Sequence, residues 1–278
     1  MLRNKLGLGS VQFGVAYGIS NTSGQTPAEE VSHILQIAQQ QGVSLIDTAS
    51  GYGNAETVLG MNNLDAFKVV SKFLPPTAEI SIEVQLQQSL QHLGLTQLYG
   101  YLAHRPEDVL RHPEQWKILL QLKADGLVQK IGFSLNTTDN LAALLEAGMV
   151  PDLIQVPYNF VDRRFENAMQ TLHQQGCEIH TRSAFWQGLF FREPQGLPHF
   201  FEPVKPLLTA MQQLPNLPAS LLQFVAQQSF IDRVIIGVEN QQQLLQNIQN
   251  LQQPNVTLPM ATIAVSDEIL MPANWPKT

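Results

Sequence analysis

Four residues able to move protons close or follow apolar runs along the first third of the chain. Asp47 ends Leu45-Ile46-Asp47, Lys72 ends Val69-Val70-Ser71-Lys72, and His104 ends Tyr101-Leu102-Ala103-His104. Tyr52 lies just beyond the first run, in Gly51-Tyr52-Gly53. A carboxylate at the end of an apolar strand is costly to bury unless it is paired. The ammonium ending the next run is the matching anomaly of opposite sign. A tyrosine hydroxyl titrates near about 10 in isolation, and a nearby ammonium lowers that value by stabilising phenolate. An aspartate that holds the ammonium offsets its burial cost. A phenol so placed is a proton donor to a carbonyl oxygen gaining negative charge. A histidine beside it can hydrogen-bond the same oxygen and orient the substrate. None of the four is a good covalent nucleophile, so the set points to proton and hydride chemistry.

The elements that must position them alternate in type. Strands are expected at Leu6–Gln12, Ser44–Ala49, Phe67–Phe73, Leu98–His104, Val128–Ser134, Leu153–Tyr158, Cys177–Ser183 and Val234–Val238. Helices are expected at Pro27–Gln41 (with Thr26 as N-cap), Ile82–Leu93, Gln115–Ala124, Asp139–Glu146, Phe165–Gln174 and Gln241–Leu251. Glycines 42, 94, 126, 148 and 176 follow helices as stop signals. Strand cores such as Val234-Ile235-Ile236 are apolar throughout, as when both faces of a parallel sheet are covered. Eight strand–helix repeats suggest a closed (β/α)8 TIM barrel, an α/β fold in one domain spanning 1–278. Functional residues on that fold sit at the C-terminal ends of the strands. Two segments break the rhythm. Trp186–Pro203 is rich in Phe, Pro and Gly, a candidate lid or cofactor clasp. The segment from Pro254 onward carries four prolines and is expected to pack on or near the barrel.

The run Gly42-Val43-Ser44-Leu45-Ile46-Asp47-Thr48-Ala49-Ser50-Gly51-Tyr52-Gly53-Asn54-Ala55-Glu56-Thr57-Val58-Leu59-Gly60 resembles the first signature of the aldo-keto reductases. Ser89-Leu90-Gln91-His92-Leu93-Gly94-Leu95-Thr96-Gln97-Leu98-Tyr99, leading to His104, resembles the second, with Gln97 where aspartate is usual. The likeness runs from Leu6 to Asn247. It implies an NAD(P)H-dependent reductase of aldehydes or ketones, sugars among the candidates, with Tyr52 as general acid, Asp47 and Lys72 as its tuning pair and His104 as substrate orienter.

The same resemblance implies a nicotinamide cofactor and the residues holding it. Ser134 and Gln155 match positions that hydrogen-bond the carboxamide, although Leu135 follows where asparagine is usual. Arg182 stands where many relatives stack a tyrosine on the nicotinamide ring, and a guanidinium can also lie flat on a ring. Ser183, Gln187, Gly188 and Leu189 would line the pyrophosphate clasp. Gly237, Val238, Glu239, Gln243 and Asn247 match the adenosine end. The family leans to NADPH. Glu239, however, would repel a 2′-phosphate and could accept hydrogen bonds from free ribose hydroxyls, which suggests NADH. Phe13, Tyr17, Phe73, Phe160, Phe185 and Trp186 are candidate pocket walls, and Arg105 could meet an anionic or hydroxyl-rich substrate.

Composition narrows the alternatives. The 278 residues suit one barrel, and 44% hydrophobic residues supply a sizeable core. A formal charge of −7 disfavours nucleic acid and anionic membranes as partners. One cysteine, Cys177, allows neither an internal disulfide nor a thiolate metal site, so no metal is expected. The opening residues lack a secretory apolar run, and no apolar stretch reaches the roughly 18 residues of a membrane span. A cytoplasmic protein, monomeric or weakly self-associating, acting on a small carbonyl compound, is the expectation. Two rival classes remain: a cofactor-binding sensor or regulatory barrel without significant turnover, and a Schiff-base enzyme using Lys72. Pairing with Asp47 keeps Lys72 charged, the wrong state for a nucleophilic amine.

Overall fold

The computed structural model describes residues 2–21, 23–254, 258 and 265–276. Eight parallel strands close into a barrel in sequence order, β1 pairing with β8: β1 Leu6–Gly9, β2 Leu45–Asp47, β3 Lys68–Phe73, β4 Leu98–Ala103, β5 Val128–Ser134, β6 Leu153–Pro157, β7 Glu178–Arg182 and β8 Arg233–Gly237. Helices cross over between strands on the outside, giving the (β/α)8 fold. Among the described residues no helix is long and apolar enough to cross a membrane.

Strand parity decides which side chains look inward. Leu45, Val70, Leu102, Leu153 and Ile235 form one apolar cluster, from β2, β3, β4, β6 and β8. Side chains two residues apart share a face of a strand. The residues two positions further on are Asp47, Lys72, His104, Gln155 and Gly237, so the polar positions stand on the inward face, one step nearer the C-terminal rim. The larger cluster lies between the strands and the helices, with Leu8, Ile46, Val69, Ile131, Val156 and Val234 on the strand side.

A third cluster sits outside the barrel rhythm. It joins the excursion between β7 and β8 to the described end of the tail: Leu189, Phe190, Phe201, Leu208 and Met211 pack with Ile269 and Leu270. That excursion contains helices Lys205–Gln212 and Leu217–Ala226, which the sequence reading lacked. Both have proline in the first turn, Pro206 and Pro218, where the missing N–H costs nothing.

Most boundaries shift by a residue or two, and some departures from expectation have local reasons. The strand expected over Leu6–Gln12 stops at Gly9, and Val11–Gly14 forms a helical turn. Thr26 does not cap the next helix. Pro27 occupies the N-cap of Ala28–Gln40, and the Thr26 hydroxyl donates to the Glu239 carbonyl at 3.3 Å, tying this helix start to the loop after β8. A short helix, Ala55–Gly60, follows Tyr52 inside the first signature.

Candidate active site

Close backbone approaches place Tyr52. Its loop begins where the Ser50 N–H and hydroxyl both donate to the Lys72 carbonyl at 3.0 Å, fastening it to β3. It then passes over Gly14, where an added Cβ would lie 1.7 Å from the Tyr52 carbonyl oxygen. Gly53 follows at φ +59°, a left-handed conformation that glycine adopts without penalty. Glu56, buried one helical turn on, accepts from the Ser71 hydroxyl on β3 and the Ser89 hydroxyl on helix Ile82–Leu93. The two signature runs are thus locked together through one carboxylate.

The tetrad converges at the rim. Lys72 Nζ donates to Asp47 Oδ1 and Oδ2 at 2.8 and 2.7 Å and to the Thr48 carbonyl at 2.8 Å, and it stands 3.5 Å from the Tyr52 hydroxyl. Lys72 is fully buried and Asp47 nearly so. Burial pulls the lysine pKa down, but the Asp47 charge and the nearby phenol outweigh it and hold it above the ordinary value. The His104 ring meets the Tyr52 ring edge-on, with centroids 5.6 Å apart. Burial, then the charges of Lys72, Arg182 and Arg105, push His104 down to about 3, so its imidazole is neutral at physiological pH.

Tyr52, Asp47 and His104 open onto a cleft of about 1060 Å³ at the C-terminal ends of the strands. Ser134, Gln155, Arg182, Ser183, Gln187, Gly188, Gly237, Glu239, Gln243 and Asn247 all line it, as do Tyr17, Arg105 and Phe185. Lys72 lies beneath the floor, behind Asp47 and Tyr52. Gln155 is already engaged: its Nε2 donates to Asp47 Oδ1 at 2.7 Å, leaving its carbonyl oxygen for any ligand. Arg182 Nη2 donates to the Leu135 carbonyl and to Asn136 Oδ1, at 3.0 and 2.6 Å, which fixes the guanidinium at the rim. Gln187 Nε2 donates to the Tyr17 hydroxyl at 2.6 Å, joining the loops after β7 and β1 across the cleft.

Several expected wall residues are elsewhere. Phe13, Phe73, Phe160 and Trp186 are buried and do not line the cleft. Phe73 packs on Tyr101, and Phe13 sits in the layer between strands and helices. Phe160 and Trp186 belong to the cluster under the β7–β8 excursion. Leu189 and Val238 are likewise buried in apolar clusters, so their side chains face away from the cleft. Apolar walls the sequence reading missed are Val15, Leu74, Phe191 and Pro218, with Pro272 and Ala273 from the tail. Asn136 was missed as well; an amide two residues past Ser134 was the available signal.

Comparison with known proteins bears on the family and the fold. The model of the aldo/keto reductase family matches residues 5–268. A methylglyoxal reductase, DkgA, of Escherichia coli (strain K12) is 31% identical over 140 residues, covering 48% of this chain and 50% of that protein. The chain spans about half the length of the curated relatives it matches. Aldo-keto reductase AKR11C1 of Bacillus halodurans, in its holo form, superposes with TM-score 0.71 at 19% identity, covering 91% of this chain and 88% of that one. A Klebsiella pneumoniae aldo-keto reductase in complex with NADPH gives 0.66 at 21% identity, covering 91% and 87%. At those identities the two structures speak for the shared barrel. With the family model spanning almost the whole sequence, this chain belongs to the aldo/keto reductase family.

Proposed function

We propose that the protein reduces the carbonyl group of an aldehyde or ketone with a reduced nicotinamide cofactor, Tyr52 delivering the proton. The observation that carries the reading is the Lys72 ammonium, chelated by Asp47 and 3.5 Å from a phenol that faces an open cleft.

The cleft fits a dinucleotide. Its volume lies just above the about 300–1,000 Å³ range of small-molecule sites. Ser10, Gln12 and His104, all on its lining, carry buried side-chain polar atoms with no hydrogen-bond partner among the described residues. Ser134, the free oxygen of Gln155 and the face of Arg182 would hold the nicotinamide end. Ser183, Gln187 and Gly188 would flank the pyrophosphate. Gly237, Glu239, Gln243 and Asn247 would hold the adenosine end, with Leu189 and Val238 contributing backbone alone. When bound, the reduced nicotinamide supplies a hydride to the carbonyl carbon.

The chain's own residues do the rest. The Tyr52 hydroxyl gives its proton to the carbonyl oxygen as charge develops there. Lys72 stabilises the phenolate left behind, and Asp47 keeps Lys72 charged. Neutral His104 donates one ring N–H to the same oxygen and fixes the substrate's orientation. Arg105 and Phe185 contact the substrate at the mouth. Glu239 favours NADH over NADPH, because its carboxylate would face a 2′-phosphate. Fluorescence titration with NADPH and with NADH, followed by a carbonyl panel with the tighter cofactor, tests the reading. Tight binding with turnover is the expected result. Binding without turnover across the panel would favour a sensor.

A further inference from the structure

The mouth of the cleft is electrically unlike the rest of the protein. The chain carries a formal charge of −7. Yet Arg105, at the end of β4, and Arg182, at the end of β7, both line the cleft beside His104. Neither forms a salt bridge among the described residues. The carboxylates on the same lining do not neutralise them. Asp47 is spent on Lys72 and Gln155. Glu107 lies exposed without an ion pair to Arg105, and Glu239 belongs to the loop after β8. Arg182 is held through Nη2 alone among the described residues, where Nε and Nη1 have no partner. The proton-donating groups therefore sit beside two guanidiniums that have no carboxylate counterion among the described residues.

We propose that Arg105 binds an anionic group carried by the carbonyl substrate, so that the preferred class is aldehydes and ketones bearing a carboxylate. This rests on the reductase reading above and adds the substrate's charge to it. A guanidinium offers a fork of N–H donors matching the two oxygens of a carboxylate. The depressed His104 pKa agrees with the arrangement: burial lowers it most, and the charges of Lys72, Arg182 and Arg105 lower it further. An anion arriving at Arg105 supplies the counterion that is missing among the described residues. Arg105 is exposed, so it is available to a ligand and its replacement leaves the core untouched.

The test uses 4-carboxybenzaldehyde and 4-carbamoylbenzaldehyde, which share ring and aldehyde and differ in charge. The full chain should favour the carboxylate in kcat/KM by about 10- to 100-fold, the range of a hydrogen bond to a charged group. Arg105→Gln should cut that ratio at least about tenfold, mainly through KM, Arg105→Lys should retain part of it, and about 0.5 M salt should shrink it. Equal kcat/KM for the two aldehydes, or a ratio unchanged in Arg105→Gln, overturns the proposal. A rise in cofactor Kd in Arg105→Gln with the ratio intact also overturns it, assigning Arg105 to the cofactor's phosphates. Should neither aldehyde be turned over, the reductase reading fails and equilibrium dialysis of 4-carboxybenzaldehyde reads the anion site by itself. Binding weakened in Arg105→Gln then upholds the site; binding unchanged or absent removes it.

Discussion

Replacing Lys72 with methionine removes an ammonium that is fully buried and keeps most of its volume. The loss can be sized from its contacts. Lys72 Nζ makes two bonds to Asp47 and one to the Thr48 carbonyl, all at 2.8 Å or less. Without it Asp47, its side chain 5% exposed, keeps the single Gln155 donor among the described residues. Breaking a buried pair by removing one partner costs about 3–5 kcal/mol, because a charge remains uncompensated. For a protein of this size that is roughly 6–20 °C in Tm, taking about 2–4 °C per kcal/mol. Lys72→Met combined with Asp47→Asn leaves no charge at this buried pair and should regain more than half of the lost stability. Urea transitions at pH 7, followed by circular dichroism, read all three proteins. Turnover should vanish in both variants, which separates the chemical role from the structural one. The lysine pKa is raised in the fold, so its contribution is complete below the ordinary lysine value and is lost only as pH rises above it. A single Lys72→Met variant within 1 kcal/mol of wild type (the approximate floor of a buried-group effect) would refute the buried-pair reasoning.

Other outcomes follow from the same geometry. His104 falls from its ordinary value of 6.5 to about 3, so the unfolded chain binds that proton first. Its contribution is whole above pH 6.5 and is lost as pH falls toward 3. Urea midpoints of wild type and His104→Gln should converge over that interval, and parallel pH curves would contradict the shift. Glu239→Lys should move the ratio of NADPH to NADH affinity toward NADPH by about tenfold or more, read by fluorescence titration; an unchanged ratio would remove Glu239 from the adenosine site. Deleting residues 265–278 strips Ile269 and Leu270 from their cluster and Pro272 from the cleft. Hydrogen exchange should then quicken over helix Lys205–Gln212, and exchange rates unchanged there would show that the tail adds nothing to the excursion.

The sequence made the rim legible because Asp47, Ser134 and Arg182 end their strands, Lys72 is next to last in β3 and His104 directly follows β4. The strand Val128–Ser134 and the helix Ile82–Leu93 were placed to the residue. What it could not show was which way a loop side chain turns. Phe13 follows a strand by a few residues, as Tyr17 does, yet one ring is buried in a helical turn and the other bonds Gln187 across the cleft. Aromatic type alone does not separate the two. The helices beyond β7 were hidden by Pro206 and Pro218, which read as breakers unless their place in a first turn is recognised. The Gln155 contact with Asp47 joins residues 108 apart in sequence, so no local pattern could reveal it.

Single-turnover reduction by Tyr52→Phe, with saturating cofactor, tests most directly whether the phenol delivers the proton. Loss of the hydroxyl should slow reduction by at least about 100-fold, the scale of general acid catalysis. Cofactor Kd should stay within about twofold of wild type, since the ring and its edge contact with His104 remain. Reduction at an undiminished rate, with Lys72 and Asp47 still in place, would mean that another group supplies the proton.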